Sequence, residues 1–266
     1  MTQVRAKKHL GQHFLKDMEV ARRIAASLPL DGQPASVLEI GPGTGVLTQF
    51  LLQQPNITLK AVELDGESVQ YLNRNFPQLE VIEADFLKMD LKTLFPDKFF
   101  VIGNLPYNIS SQIFFKMLEN KELIPCLVGM IQKEVAERMA AKAGSKTYGI
   151  LSVLMQAYYS IDYLFTVHEH VFDPPPKVKS AVIRLTRNDV SKIDCNEQLF
   201  KTVVKTAFNQ RRKQLRNSLS PIIAKDHPMF NDVFFNKRPE QLDVAAFVTL
   251  TNQIETALQD KLEVKA

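Results

Sequence analysis

Two rhythms of apolar residues alternate along the first two thirds of the chain. Short stretches rich in apolar and β-branched residues read as buried strands: Ser36–Ile40, Leu59–Leu64, Leu79–Ile82, Phe99–Ile102, Leu127–Ile131 and Ser180–Leu185. Between them, apolar residues recur at helical spacing. Val20, Ile24 and Leu28 do so within residues 17–28, a helix closed by Pro29, Gly32 and Pro34. Leu47–Gln53, Ser68–Asn75, Ile109–Leu118 and Glu134–Ala141 are further helices. Strands alternating with helices predict an α/β domain whose mostly parallel sheet is covered on both faces. After about residue 188 the strand rhythm stops. Leu199, Val203, Ala207 and Phe208 share one helical face, and Leu242, Phe247, Leu250 and Ile254 mark a late helix. The expected organisation is an α/β domain over 1–188 followed by a small all-helical domain over 189–266.

Composition narrows the class. With 266 residues and 45% hydrophobic content, the chain can bury a sizeable core. No apolar run approaches the length of about 18 residues that a membrane span needs. The basic N-terminus lacks the apolar stretch of a secretory signal, so a cytoplasmic protein is expected. Cys126 and Cys195 lie far apart without metal-type spacing, and no metal site is expected. The net charge is only +4, but its distribution is uneven. Residues 1–23 hold six Lys or Arg (Arg5, Lys7, Lys8, Lys16, Arg22, Arg23) against two acids, and residues 201–216 hold six (Lys201, Lys205, Arg211, Arg212, Lys213, Arg216) against none. Each cluster is either a solvated helix face or a surface for a polyanion.

The sharpest local signal is Glu39-Ile40-Gly41-Pro42-Gly43-Thr44-Gly45, a strand running into three glycines and then a helix. Such a loop sits at the carboxyl edge of a parallel sheet, where ligands bind, and glycine lets a ligand approach the main chain. The spacing is not that of a dinucleotide fingerprint, because Val46 stands where the last glycine belongs. No Gly-Lys-Ser/Thr follows, which excludes the phosphate loop of nucleotide hydrolases. The G-x-G-x-G form resembles the S-adenosylmethionine loop of Rossmann-like methyltransferases, with Gly41, Gly43 and Gly45 as cofactor-binding positions. Glu63 ends the next strand and suits both ribose hydroxyls; Asp85 ends the third and suits an adenine amino group. Any one of these acids could instead be a helix cap or turn residue.

Asn104-Leu105-Pro106-Tyr107 follows the strand Phe99–Ile102. An exocyclic amine on an aromatic base has its lone pair delocalised into the ring. Acceptors that hold its N–H groups turn the lone pair outward, and the Asn104 side-chain oxygen and the carbonyl preceding Pro106 are such acceptors. Tyr107 offers a flat face for a base, and Phe172, in the stiff Val171–Val178 proline loop, could close the other face or be a core residue.

These residues, with Lys8-His9-Leu10-Gly11-Gln12-His13-Phe14-Leu15 and Phe208-Asn209-Gln210-Arg211-Arg212-Lys213, bring a close resemblance to the bacterial small-subunit ribosomal RNA adenine N6,N6-dimethyltransferases. The resemblance implies a Rossmann-like methyltransferase with a mostly parallel seven-stranded sheet and a small C-terminal helical domain. It implies S-adenosylmethionine as cofactor, with His13, Leu15, Gly41, Glu63, Asp85 and Asn104 around it. Asn104, Leu105, Pro106, Tyr107 and Phe172 would form the adenine pocket, and Arg211, Arg212, Lys213 and Arg216 an RNA-phosphate surface. The implied substrate is two adjacent adenosines near the 3′ end of small-subunit RNA, in a 30S-like particle during late assembly, and the enzyme is expected to be a monomer. Many members carry Asn where this chain has His13.

Rival readings are a related large-subunit adenine methyltransferase conferring macrolide resistance, an assembly checkpoint holding cofactor structurally, and a DNA adenine methyltransferase. The last uses an Asp-Pro-Pro-Tyr type tetrad more often than one beginning with Asn104.

Overall fold

The computed structural model describes residues 4–263, so the outer limits expected for the two domains, 1 and 266, lie outside the described residues. The strands are β1 Phe14–Leu15, β2 Ala35–Ile40, β3 Ile57–Glu63, β4 Glu80–Glu83, β5 Phe99–Asn104, β6 Cys126–Gln132, β7 Tyr159–Val167, β8 Phe172–Asp173 and β9 Ser180–Arg187. The helices are α1 Met18–Ala25, α2 Thr48–Leu51, α3 Gly66–Asn75, α4 Leu91–Leu94, α5 Ser110–Glu119, α6 Lys133–Ala140, α7 Ile150–Gln156, α8 Glu197–Asn209, α9 Leu215–Ser218 and α10 Val244–Glu263. All six expected strands form. The seventh, β7, is rich in β-branched and aromatic residues, but an irregularity between Tyr163 and Phe165 breaks its alternation and hides it from a period-two reading.

The main sheet runs β4-β3-β2-β5-β6-β9-β7. The first five are mutually parallel; β9 is antiparallel to both β6 and β7. Val37, Leu38, Ala61, Ile102, Val128 and Met130 are fully buried, as parallel strands covered on both faces require. Chain order reverses between β2 and β5. Ligands of open α/β sheets bind outside the carboxyl ends of the strands at such a switch point.

The chain divides into two compact units, and the division is not linear. One unit extends to Ala136 and resumes over Tyr159–Asn188; the other combines Glu137–Tyr158 with the chain from Asp189 onward. The expected division into 1–188 and 189–266 therefore misplaces residues 137–158. Within the second unit α7 packs on α8 and α10, burying Leu151, Val153, Leu154 and Met155. Gln156 donates to the carbonyls of Met139 and Ala141, both at 2.8 Å, closing the end of α6. Periodicity shows that 134–141 is helical, but which core it joins is set by these tertiary bonds.

Candidate functional site

In the first unit the carboxyl ends of β2, β3, β4 and β5 surround one cavity. Ile40, Gly41, Gly43, Glu63, Asp85 and Asn104 line it, and the segment His9–Phe14 forms a further wall. Gly41, Gly43 and Gly45 all have positive φ. At Gly43 a β-carbon would also lie 2.8 Å from the Phe14 ring, so glycine is required there for conformation and for space. Gly103 solves a different problem: a β-carbon would come within 2.5 Å of the Ile40 carbonyl, closer than any side chain permits.

Glu63 is buried and accepts three backbone N–H groups. One carboxylate oxygen takes those of Leu64 and Asp65, both at 2.9 Å; the other takes that of Gly43 at 3.0 Å. A carboxylate has about four acceptor positions. One therefore remains open to a ligand. Burial pushes the Glu63 carboxyl above its ordinary range, against the pull of the Asp65, Gly43 and Leu64 amides. Glu39 lies deeper. It accepts the Thr48 hydroxyl at 2.6 Å, and burial lifts its carboxyl to about 7. Asp85 is both a cap and a cavity residue: one oxygen accepts the Leu87 N–H at 3.0 Å, and the other lies 3.7 Å from Lys88 Nζ.

The Asn104 side-chain N–H donates to the His13 carbonyl at 2.9 Å. That bond fixes which end of the amide is nitrogen and leaves Oδ1 as an acceptor at the cavity. Leu105 is buried, its N–H donating to the Met130 carbonyl at 3.0 Å. The Tyr107 hydroxyl meets the Ser180 hydroxyl at 2.5 Å, which anchors the ring to the first residue of β9. Burial raises the Tyr107 phenol. The His13 ring stacks on Tyr107, centroids 5.5 Å apart and planes 27° apart. His13 Nδ1 lies 2.7 Å from the Pro174 carbonyl. A carbonyl only accepts, so Nδ1 is the donor in this contact.

Three expected site residues lie elsewhere. Phe172 is fully buried in the hydrophobic core and does not line the cavity. Leu15, its partner across β1 and β8, is buried in the same cluster. The two short strands pair Phe14 with Asp173 and Leu15 with Phe172, and Phe14 is the one that joins the cavity wall. Gly45 also lies off the wall. Its N–H closes the turn onto the Pro42 carbonyl at 2.8 Å, and a β-carbon there would strike Phe76.

The structure adds one residue that motif reading does not isolate. Asp65 caps α3, accepting from the Glu67 N–H at 3.3 Å and the Ser68 hydroxyl at 3.0 Å. It also holds the segment that walls the cavity, through an ion pair with Lys7 and a 3.4 Å bond from Gln12. Its own N–H holds Glu63. Burial pushes its carboxyl upward, but the bonds from Lys7, Ser68 and Gln12 bring it below the ordinary aspartate value. The signal available in the sequence was Glu63-Leu64-Asp65 followed by a helix.

The four cations expected to face RNA, all in the second unit, are not equivalent. The Arg211 guanidinium donates to the main-chain carbonyls of Ser145, at 3.4 Å, and Lys146. Arg216 donates to the Asn236 side chain, and its Nε is buried without a partner. Both are half-buried and spend part of their donor capacity within the fold. Arg212 and Lys213 are exposed.

Comparison with known proteins shows the family. Residues 3–256 match the family described as ribosomal RNA adenine dimethylase. The protein named ribosomal RNA small subunit methyltransferase A of Bacteroides thetaiotaomicron is 64% identical over 263 residues, covering 97% of each chain. Its namesake in Phocaeicola vulgatus is 62% identical over 264 residues, 98% of this chain and 94% of that one. Among solved structures, a dimethyladenosine transferase from Plasmodium falciparum superposes with a TM-score of 0.78 at 26% identity, over 92% of this chain and 98% of that one. The 23S rRNA methyltransferase ErmE does so at 0.67 with 25% identity, over 90% and 99%. With a matching family profile over nearly its whole length, the chain belongs to the ribosomal RNA adenine dimethylase family.

Proposed function

We propose that the enzyme transfers methyl groups from S-adenosylmethionine to N6 of two adjacent adenosines near the 3′ end of small-subunit ribosomal RNA, as a monomer acting on a 30S-like assembly particle. The observation that carries this reading is Asn104: its amide is pinned by His13, so its oxygen is an acceptor beside the cavity that holds Glu63 and Asp85.

The residues present suit a nucleoside-type cofactor. Glu63 has acceptor capacity for a ribose hydroxyl, Asp85 for an adenine amino group, and the Gly41–Gly43 turn leaves main chain open to close approach. When bound, the cofactor supplies a methyl group made electrophilic by its sulfonium charge. The chain's task is then positioning. Asn104 Oδ1 and the Leu105 carbonyl hold the two N–H groups of the base amine, so its lone pair is drawn out of conjugation with the ring and localised on nitrogen, toward the methyl group. Tyr107, its hydroxyl tied to Ser180, gives the base a fixed face. No strong base is needed, because the methylated amine sheds its proton readily. In the second unit Arg212 and Lys213 contact RNA phosphates without reading sequence.

The test is transfer of labelled methyl groups to small ribosomal subunits lacking the modification, with mapping of the product. Dimethylation of two neighbouring adenosines near the 3′ end supports the reading. Label confined to large-subunit RNA transfers the enzyme to the other ribosomal class, and particle binding without label reduces it to an assembly factor.

A further inference from the structure

The loop between α6 and α7, residues 141–149, is held more firmly than an ordinary connection. The Gly144 N–H donates to the Glu240 carbonyl at 2.6 Å. The Ser145 N–H closes a turn onto the Lys142 carbonyl at 3.2 Å. Arg211 adds its guanidinium to the carbonyls of Ser145 and Lys146. One guanidinium thus ties together two segments that are 65 residues apart in sequence. The segment beyond Arg211 is braced as well, the Lys213 N–H donating to the Gln210 carbonyl at 2.8 Å.

What this bracing presents is charge. Lys142 and Lys146 are exposed on the loop, and Arg212 and Lys213 are exposed directly after Arg211. None of the four has an acidic partner among the described residues. The neighbouring Glu240 does not neutralise them by contact, since the carboxylate oxygen Oε2 is buried without a partner. Like charges gathered on a braced backbone repel one another unless a polyanion is present. A phosphodiester chain relieves that repulsion and releases its own counterions.

We propose that the 142–146 loop is a second RNA-phosphate contact, set beside Arg212 and Lys213 by the Arg211 clamp. Arg211 is then a positioning residue, and Lys142 and Lys146 are the ligands that the C-terminal basic run does not reveal. This rests on the RNA reading above and specifies which backbone of the second unit grips the substrate.

The test is the salt dependence of binding between the full-length protein and an unmethylated transcript of the small-subunit RNA 3′ region. Three variants are compared with the parent: Lys142→Gln with Lys146→Gln, Arg212→Gln with Lys213→Gln, and Arg211→Ala. Each lost phosphate contact lowers the slope of log K against log salt by about 0.7–0.9, so each double variant is expected to lose about 1.4–1.8. Arg211→Ala, with all four ligand cations retained, is expected to bind about 3- to 10-fold more weakly, on the order of one lost contact in that same term. Unchanged cofactor affinity, with a melting temperature that stays well above the assay temperature, shows that each variant folds.

If only the Arg212/Lys213 pair changes the slope, the loop proposal falls while the RNA reading stands. If neither pair changes it, the RNA reading of this surface falls and takes the loop with it. Displacement of the transcript by polyglutamate as effectively as by RNA of equal charge would assign the loop to an acidic protein partner and overturn the proposal.

Discussion

The cavity at the strand ends and the basic run after α8 differ in how far a residue's type foretells its place. Around the cavity, a motif residue is constrained by main chain. Gly43 must be glycine because of its φ and of Phe14, Glu63 is caged by three amides, and Asn104 is pinned to a carbonyl. In the basic run, Arg211 and Arg216 turn inward while Arg212 and Lys213 stay in solvent. The N-terminal cluster divides in the same way: Lys7 pairs with Asp65, Arg22 with Glu19, and Arg23 lies 3.9 Å over the Phe165 ring. A backbone constraint is local and shows in the sequence. A long cationic side chain takes whatever partner the fold brings to it, and that partner is remote.

The largest expected effect tests the cavity side of this contrast. Asn104→Ala removes an acceptor that the base amine requires. Methyl transfer at saturating cofactor is expected to fall about 100- to 1000-fold, the range for losing one well-placed polar group from an active site. The measurement is labelled methyl incorporation into unmodified small subunits. A rate within a few fold of the parent would show that the tetrad is a turn and that motif chemistry misled even here.

Glu39 comes next, through stability. Its carboxyl ordinarily titrates near 4.5 and reaches about 7 when buried. The native state therefore binds a proton that the unfolded state has already released, so stability falls as pH rises from about 4.5 through 7. Glu63, also raised by burial, acts in the same direction. Asp65, lowered overall, contributes stability that is lost only as pH falls below the ordinary aspartate value, outside this window. Urea unfolding at pH 5 and pH 8 is expected to differ by about 1–3 kcal/mol, at about 1.4 kcal/mol for each tenfold shift in proton affinity. Glu39→Gln is expected to flatten that dependence, and an unaltered slope would show that the proton sits elsewhere.

Phe172 tests where the proline loop belongs. In the core, Phe172→Leu is expected to cost about 1–1.5 kcal/mol of stability as a shape change in a packed site, with methyl transfer within a few fold of the parent below the melting range. Unchanged stability with transfer abolished would return Phe172 to the base-stacking role that the family resemblance implies. The misplacement has a plain cause. Phe14, Leu15, Phe172 and Asp173 form two-residue strands whose pairing spans most of the α/β domain's sequence. No period can be read in two residues, so which of Phe14, Leu15 and Phe172 faces the cavity emerges only from the pairing. The six strands with a clean apolar run were legible, as were the glycine turn and the Asn104 tetrad. The bulged β7 was not, and neither was the transfer of 137–158 to the helical unit, because both are decided by what packs against them.

The smallest expected effect concerns Lys7, where the two halves of the comparison meet. Lys7 belongs to a basic cluster that sequence alone cannot sort, yet its ammonium reaches a carboxylate that is almost wholly buried, the side chains being 30% and 1% exposed. Asp65 in turn holds Glu63 by its own N–H. Lys7→Gln leaves Gln12, the His13 carbonyl and the Pro174 contact in place, so the cavity wall should loosen without opening. A partly exposed ion pair is a weak tether. The expected result is a cofactor KM raised about 2- to 5-fold with kcat unchanged, the pattern of lost uniform binding, and a parent enzyme whose cofactor KM climbs with salt more steeply than that of the variant. Equal KM in parent and variant would mean that His13 and Gln12 carry the wall alone, leaving Lys7 as a solvated charge like Arg212. A fall in kcat would mean instead that the wall, through the Asn104–His13 bond, sets the acceptor geometry as well as the cofactor's.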